Sequence, residues 1–302
     1  MEVVFHFGEL VINQSRRSCI QIGQMMAILV LQGKNLTNSM ALEISDKLNG
    51  ILEPYIGCIR ITFPQNMLPH QLSELRQCYD FDINIIPEQF DPKKVRLLVS
   101  DMDSTLISIE CVDEIADFIN AKPKVSAITN AAMRGDIDFE TSLRERVALL
   151  KGLDISVLER VFKERLKLNP GAESMLKGLK EKGIKTALVS GGFTFFTERL
   201  KEQLGLDYTM ANVLTEKNGK LTGEVSGAIC GEQAKADFLI TQCEKLGIST
   251  LQVVAMGDGA NDLSMMKEAG LSIAYHAKAK VQSEADVVLN YCGLEGVLAM
   301  LQ

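Results

Sequence analysis

Two aspartates two residues apart, Asp101 and Asp103, directly follow a short apolar run in the stretch VRLLVSDMDSTL, from Val95 to Leu106. Carboxylates crowded in this way repel each other unless a cation or a shared proton relieves them. Magnesium suits such a pair, because it takes hard oxygen ligands and keeps places for water and phosphate oxygens. In that chemistry Asp101 can attack phosphorus, since carboxylates form aspartyl-phosphates. Asp103 can protonate the leaving oxygen and later activate water, provided its surroundings keep its pKa high enough. The competing reading of this stretch alone is an Asp/Ser turn capping a helix.

Two further apolar runs end in the same manner. Lys185 to Val189 runs into Ser190-Gly191-Gly192, and Leu251 to Met256 runs into the acidic cluster GDGAND, Gly257 to Asp262. If all three runs are strands of one parallel sheet, their carboxyl ends share an edge, which is where open α/β sheets bind ligands. Ser190 and the amides of Gly191 and Gly192 can bind phosphoryl oxygens. Asp258, with Asp101, can hold the magnesium. Lys235 lies on the helix leading into the last of these strands and can neutralise charge gathered in a transition state. The plainer alternatives are a helix cap for Ser190 and a solvated surface position for Lys235.

These residues need elements to position them. Val95 to Val99 reads as a short buried strand. A long, mostly helical stretch follows, roughly from Glu110 to Leu168, and ends at Pro170-Gly171. That is well beyond an ordinary crossover of about a dozen residues, so it is read as an inserted cap of about residues 107–168. Helices over Ala172 to Lys182, Thr194 to Leu204 and Glu232 to Lys245 alternate with the strands. Lys217-Asn218-Gly219-Lys220 signals a hairpin within Tyr208 to Val225. Short strands over Leu271 to Tyr275 and Val287 to Leu289 complete a doubly wound parallel α/β sheet over residues 94–302. Residues 1–90 form a smaller α+β domain with strands over Val3 to Phe7, Met26 to Leu31, Gly57 to Phe63 and Phe81 to Ile86, and helices over Ser39 to Ile51 and Leu68 to Cys78. His6, His70 and His276 are isolated, and no catalytic set is visible in this first part.

Composition narrows the functional classes. The 302 residues are 46% apolar with a net charge of −7, enough for a sizeable core and against wholesale disorder. No basic run stands out, which argues against a nucleic-acid partner. The seven cysteines (Cys19, Cys58, Cys78, Cys111, Cys230, Cys243 and Cys292) are scattered without a CxxC pair, as expected of reduced thiols in the cytoplasm. The longest apolar run, Met25 to Leu31, is too short to cross a membrane, and the first residues lack the pattern of a signal peptide. Homodimerisation is left open.

Taken in order and spacing, DMDST at 101–105, SGG at 190–192, Lys235 and GDGAND at 257–262 resemble the haloacid-dehalogenase superfamily of phosphatases. Within it, the insert resembles the phosphoserine phosphatases. The resemblance implies a HAD-like Rossmannoid fold and a magnesium-dependent hydrolysis of O-phospho-L-serine to L-serine and phosphate, the last step of serine biosynthesis. It implies that Glu110, in SIECVDEIAD, meets the substrate's ammonium group and that Arg146, in FETSLRERV, holds its carboxylate. Phe139 and Met133 would wall the pocket and Asn261 would touch substrate or phosphate. Asp103 would give magnesium its backbone oxygen, and Asp262 would support the site. For Glu110 the competing reading is a solvated helix start, and for Arg146 an exposed ion-pair face with Glu140, Arg144 and Glu145. Some relatives carry an amino-acid-binding ACT domain, of which residues 1–90 are read as a diverged version. Two other activities stay open on the sequence: phosphoryl transfer to a small alcohol such as homoserine, and regulatory amino-acid binding.

Overall fold

The computed structural model describes residues 26–64, 69–134 and 136–302; the strand expected over Val3 to Phe7, with His6, and Cys19 lie outside the described residues. The chain begins there with β1 (Met26–Gln32), α1 (Asn38–Lys47), β2 (Ile51–Tyr55), β3 (Cys58–Pro64), α2 (Pro69–Cys78) and β4 (Asp82–Ile86). The strands form an antiparallel sheet in the order β2-β3-β1-β4, a split β-α-β arrangement. One expected element is corrected: the helix anticipated over Ser39 to Ile51 stops at Lys47, and Ile51 opens β2. Asn49 turns the chain at φ 51°, a conformation Asn tolerates, and Gly50 N–H closes the turn on Ser45 O at 2.8 Å.

One face of this sheet buries Leu29, Leu31, Ile61 and Ile83 against Ala41 and Ile44 of α1. The other face is partly polar and grips backbone near the C-terminus. Asp82 accepts from Asn290 N at 2.7 Å and Cys292 N at 2.9 Å. Asn84, two residues on and therefore on the same face, donates to Val288 O at 2.9 Å and accepts from Val288 N at 2.8 Å. Arg60 Nη2 donates to Ala299 O at 2.8 Å. Asn84 thereby supplies ladder partners that the edge strand at 287–289 would otherwise lack at Val288.

The second sheet starts with β5 (Leu97–Ser100). A helical insert follows, α3 (Cys111–Asp117), α4 (Lys122–Arg134), α5 (Phe139–Ala148) and α6 (Ser156–Arg160). Then come α7 (Ala172–Glu181), β6 (Lys185–Phe193), α8 (Thr194–Leu204), the hairpin β7 (Tyr208–Lys217) and β8 (Lys220–Ser226), and α9 (Glu232–Leu246). The chain closes with β9 (Val253–Gly257), α10 (Leu263–Glu268), β10 (Leu271–Tyr275), α11 (Ala279–Glu284), β11 (Val287–Leu289) and α12 (Val297–Met300). The strand order is β11-β10-β9-β5-β6-β7-β8. All pairings are parallel except that of β7 with β8.

β5 is buried throughout and apolar on both faces, as a central parallel strand must be. Leu97 and Val99 pack into one layer with Phe238 and Leu239 of α9, and Leu98 packs into the other with Met175 and Leu179 of α7. Each fully buried side chain of this kind stabilises the fold by roughly 1.5–3 kcal/mol. From β5 the chain builds outward through β6 and β7, then returns to lay β9 on the other side. The ends of β5, β6 and β9 therefore lie side by side at the switch point, where such sheets bind ligands.

The insert leaves and rejoins the sheet through a paired hinge. Ser108 N–H donates to Lys167 O at 2.9 Å and Asn169 N–H to Leu106 O at 3.0 Å. Gly171, just beyond, takes φ 78°, and a Cβ there would collide with Glu295, so glycine is required on both counts. No described helix is long and apolar enough to cross a membrane.

Candidate active site

Past β5 the backbone turns sharply through Met102–Leu106, with Ser104 at φ 59° and ψ −4°. A left-handed non-glycine residue is costly and has to be held by its surroundings. Asn169 holds it: its amide donates to Thr105 O at 2.8 Å, Ile107 O at 3.2 Å and Ser104 O at 3.3 Å. The turn places Asp101 and Asp103 at the sheet edge, and Asp103 Oδ1 accepts from Cys111 N at 3.2 Å. Ser104 Oγ donates to Glu110 Oε1 at 2.7 Å, fixing the residue that opens α3.

β6 runs on through the Ser190-Gly191-Gly192 segment to Phe193, further than the strand end expected at Val189. Its register against β7 breaks between Val189 and Phe193. There the Asn212 side chain replaces the ladder, donating to Gly191 O at 2.8 Å and accepting from Cys230 N at 2.8 Å. Ser190, Gly191 and Gly192 all line the cavity, and Gly192 N–H is engaged locally by Ser190 Oγ at 2.8 Å. The glycines are also a matter of space, since a Cβ on Gly191 would lie 2.8 Å from Phe139 Cζ and one on Gly192 2.9 Å from Asp103 Oδ2.

Lys235 is not a surface lysine. It is 0% exposed, on the first turn of α9, with Nζ 2.6 Å from Asp101 Oδ1 and 2.7 Å from Asp262 Oδ1. Asp262 is equally buried, and its other oxygen accepts from Gly259 N at 3.1 Å. Asp101, Asp258 and Asp262 present carboxylate oxygens all within 4.8 Å of one another. Asp101 and Asp258 are two of the three expected metal ligands; Asp262 is engaged by Lys235 and Gly259, and the backbone oxygen expected of Asp103 is not a side-chain donor and does not enter this cluster. Lys235 bonds Asp101 and Asp262 but not Asp258, which lies nearer the charge of Lys278, and three carboxylates still crowd one another here.

The titration behaviour follows from that crowding. Burial, then the charges of Asp262 and Asp258, raise Asp101 well above the ordinary carboxyl range in spite of Lys235. Burial and Asp262 raise Asp258 to about 6. Burial and the nearby Glu110 raise Asp103 to about 7. Burial alone would lower the Lys235 ammonium, but Asp101 and Asp262 more than offset it and keep the group charged. Cys111 and Cys230 line up poorly as nucleophiles, because burial pushes both thiols up, Cys230 to about 11.

A cavity of about 560 Å³ lies between the sheet edge and the insert. From the sheet it is lined by Asp101, Asp103, Ser190, Gly191, Gly192, Asp258 and Asn261, and from the insert by Glu110, Phe139 and Arg146. Phe139 and Arg146 come from α5, seven residues and thus about two turns apart on one helix face, with Asp138 capping the helix by accepting from Thr141 N at 2.8 Å. The ion-pair face considered for this helix exists, but it belongs to Arg144, which meets Glu140 at 2.7 Å. Arg146 points the other way, into the cavity. Met133 lies on α4, and its side chain is outside what the structure describes.

Other lining residues were not anticipated. Lys278 and Lys280 stand at the rim, just past β10. The available signal was that β10 is a fourth strand ending at the same edge. Thr129 and Ser142 border the cavity from α4 and α5, with their hydroxyl oxygens buried. Asn169 and Asn212 act through the backbone only, and nothing in the sequence marks them.

As a chemical arrangement this is an acidic pocket with a buried lysine behind one carboxylate, a carboxyl raised to about 7 beside it and an arginine from the insert. The oxygen donors fit a hard divalent cation such as magnesium, since carboxylate oxygens are what it binds.

Comparisons with known proteins agree with this geometry. Residues 95–270 match the haloacid dehalogenase-like hydrolase family. A phosphoserine phosphatase of Polaromonas sp. is 50% identical over 225 residues, spanning 73% of this chain and 95% of the relative. The phosphoserine phosphatase of Vibrio cholerae serotype O1 is 38% identical over 289 residues, 94% of this chain and 88% of the relative. Among solved structures, a HAD family hydrolase from Salmonella enterica serovar Typhi superposes with a TM-score of 0.85 at 32% identity, covering 92% of this chain and 98% of that one.

Proposed function

Because the chain belongs to the haloacid dehalogenase-like hydrolases, and within them to the phosphoserine phosphatases, we propose that it hydrolyses O-phospho-L-serine to L-serine and phosphate through a phosphorylated Asp101. The observation that carries this reading is one cavity lined both by Asp101, which Lys235 holds, and by Glu110 and Arg146. A phosphate monoester of an amino acid needs both ends. Neither the transferase nor the regulatory-binder reading is favoured by the relatives.

Asp101 Oδ1 is held by Lys235, leaving Oδ2 to attack phosphorus. The new P–O bond forms as the bond from phosphorus to the serine oxygen breaks. Asp103, raised to about 7, gives its proton to that oxygen. The resulting Asp103 carboxylate then takes a proton from water, whose oxygen attacks phosphorus as the bond from phosphorus to Asp101 Oδ2 breaks, releasing phosphate and restoring the carboxylate. Ser190 Oγ–H and Lys235 balance charge on the phosphoryl oxygens. Arg146 pairs the substrate carboxylate through its planar fork, Glu110 takes the ammonium, and Phe139 covers the chain between them. Asn261 donates to phosphate or substrate. Magnesium would be held by Asp101, Asp258 and the backbone oxygen of Asp103, and when bound it would polarise the phosphoryl group. The insert is read as a cap that excludes water in the first half-reaction, and residues 1–90 and 94–302 as two domains.

The deciding experiment is phosphate release from phosphoserine, phosphothreonine and an aryl phosphate, with magnesium and with chelator. A strong, magnesium-dependent preference for phosphoserine is expected. Activity on the aryl phosphate alone would overturn the substrate assignment while sparing the chemistry.

Two further results are expected. Arg146→Ala raises KM for phosphoserine by about 10- to 100-fold, the equivalent of a hydrogen-bonded charge pair of about 1.5–3 kcal/mol, and leaves the aryl phosphate nearly unaffected. An equal loss on both substrates would count against a carboxylate clamp. In metal-free protein, Asp103 and Asp258 have folded-state pKa values above the ordinary 3.8, so the fold binds protons that the unfolded chain has released. Their favourable contribution is complete below about pH 4 and is lost as pH rises through about 6 and 7. Thermal melting of chelated protein should therefore drop from about pH 5 to about pH 8, and added magnesium should restore it most at the higher pH. A flat profile would contradict the crowded-carboxylate account.

A further inference from the structure

The turn that leads from β10 into α11 is strained and closely held. His276 takes φ 44°, a left-handed value that is costly for a residue with a Cβ. Three hydrogen bonds fix the chain around it. His276 N–H donates to Leu289 O at 2.8 Å, Gln282 Nε2 to Ala277 O at 2.6 Å, and Lys278 N–H to Asp258 O at 3.1 Å. Backbone strain that is over-determined by its surroundings clusters at functional sites. This turn carries Lys278 and Lys280, both exposed and both lining the active-site cavity.

Charge gives the turn a use. Among the described residues lining the cavity, carboxylates outnumber cations, and the cations are Arg146, Lys278 and Lys280. A phosphate monoester arrives as an anion, and a cleft dominated by carboxylates repels it. Arg146 comes from the insert. Lys278 belongs to the sheet side, where its backbone meets that of Asp258 and its charge acts on the Asp258 carboxyl. Asp101, the group proposed to take the phosphoryl group, is on the same side.

The turn is also tied to the antiparallel sheet. Gln282 Oε1 accepts from Asn290 Nδ2 at 3.1 Å, and Asn290 N–H donates to Asp82 Oδ1 of β4 at 2.7 Å. Hydrogen bonds thus lead from Asp82 through Asn290 and Gln282 to the Ala277 carbonyl, one residue before Lys278.

We propose that Lys278 and Lys280 form a cationic rim that draws the phosphate anion into the site, and that Gln282 is the positioning residue for this rim, braced through Asn290 by the antiparallel sheet. The proposal rests on the reading of the substrate as a phosphate monoester. It gives the antiparallel sheet a part in phosphate capture.

The test measures, in the full chain with magnesium, the dissociation constant of inorganic phosphate by calorimetry and kcat/KM for phosphoserine at several salt concentrations. Lys278→Met and Lys280→Met stand at exposed positions and should each weaken phosphate binding about three- to fivefold, the scale of one exposed charge interaction. Both should also flatten the salt dependence of kcat/KM, because attraction at an exposed rim is screened by salt. Gln282→Ala and Asn290→Ala change no charge, yet should weaken phosphate binding by a similar factor. In the Lys278→Met/Lys280→Met background, Gln282→Ala should add little, because it acts through those groups. An equal loss in both backgrounds would assign Gln282 a merely structural role and overturn its positioning of the rim. Parental phosphate binding in Gln282→Ala or Asn290→Ala would overturn the brace, and parental binding with parental salt dependence in both lysine variants would overturn the rim. Inorganic phosphate reports these outcomes whether or not phosphoserine is turned over, and a parent chain that binds phosphate but spares phosphoserine would overturn the substrate reading alone.

Discussion

Asp101→Asn yields a folded protein whose release of phosphate from phosphoserine is slower by on the order of 10⁴-fold or more. The amide is a poor nucleophile, and covalent catalysis has no other carboxylate in position to replace it. Asp103 is oriented by Cys111 N and is raised to about 7, which suits proton transfer instead. Removing a nucleophile that works with partners as a unit costs nearly the whole chemical step. The fold should survive, because asparagine keeps the shape and Oδ1 can still accept from Lys235, while the charge crowding with Asp258 and Asp262 is relieved. The check is twofold. Steady-state phosphate release reports the rate, and acid quenching with phosphorus-labelled phosphoserine reports the intermediate, which the parent should trap and the variant should not. Parental turnover in Asp101→Asn would end the aspartyl-phosphate mechanism.

Lys235→Met is the substitution expected to weaken the fold most. Lys235 is 0% exposed and bridges Asp101, 5% exposed, and Asp262, 0% exposed. Methionine fills a similar volume but leaves two buried carboxylates without their counter-charge. Breaking a buried ion pair by removing one partner costs about 3–5 kcal/mol, more than the pair itself contributes over an apolar replacement. Urea unfolding of metal-free protein should show that loss as a lower midpoint with an unchanged slope. Combining Lys235→Met with Asp101→Asn should recover part of it, since the two groups are in contact and their effects do not add. A loss within about 1 kcal/mol for Lys235→Met would mean that the carboxylates are relieved in another way. Activity disappears in either case, because Asp101 loses the group that orients its oxygen.

The elements of the parallel sheet were legible because their physics is local and redundant. Apolar runs at 97–100, 253–257 and 271–275 can only be buried strands of a sheet covered on both faces. The first two end where serine, aspartate or glycine replaces the apolar residues, and the third ends at Tyr275-His276. Ile51 was harder. Its neighbourhood continues a helical pattern from α1, and only the left-handed Asn49 with Gly50 decides that a strand begins. Arg146 and Arg144 show the same limit in the site. Both are arginines on one helix among glutamates, and two residues of helical phase decide that one meets Glu140 in solvent while the other faces the cavity.

By itself the sequence determined the parallel α/β class and the hairpin at Asn218-Gly219, and it nominated the reacting groups proposed above, since an Asp-x-Asp at a strand end and a GDGAND at another can be read without coordinates. Tertiary structure alone decided which groups are paired and which are not. Lys235 is 134 residues from Asp101 in the chain, yet the two meet at 2.6 Å. Asp262 joins the carboxylate cluster only because α9, β5 and β9 converge. The physical reason is one of range. Periodicity, caps and turns act over a few residues and can be read from the chain, whereas burial, charge balance and hydrogen-bond satisfaction are properties of the packed neighbourhood.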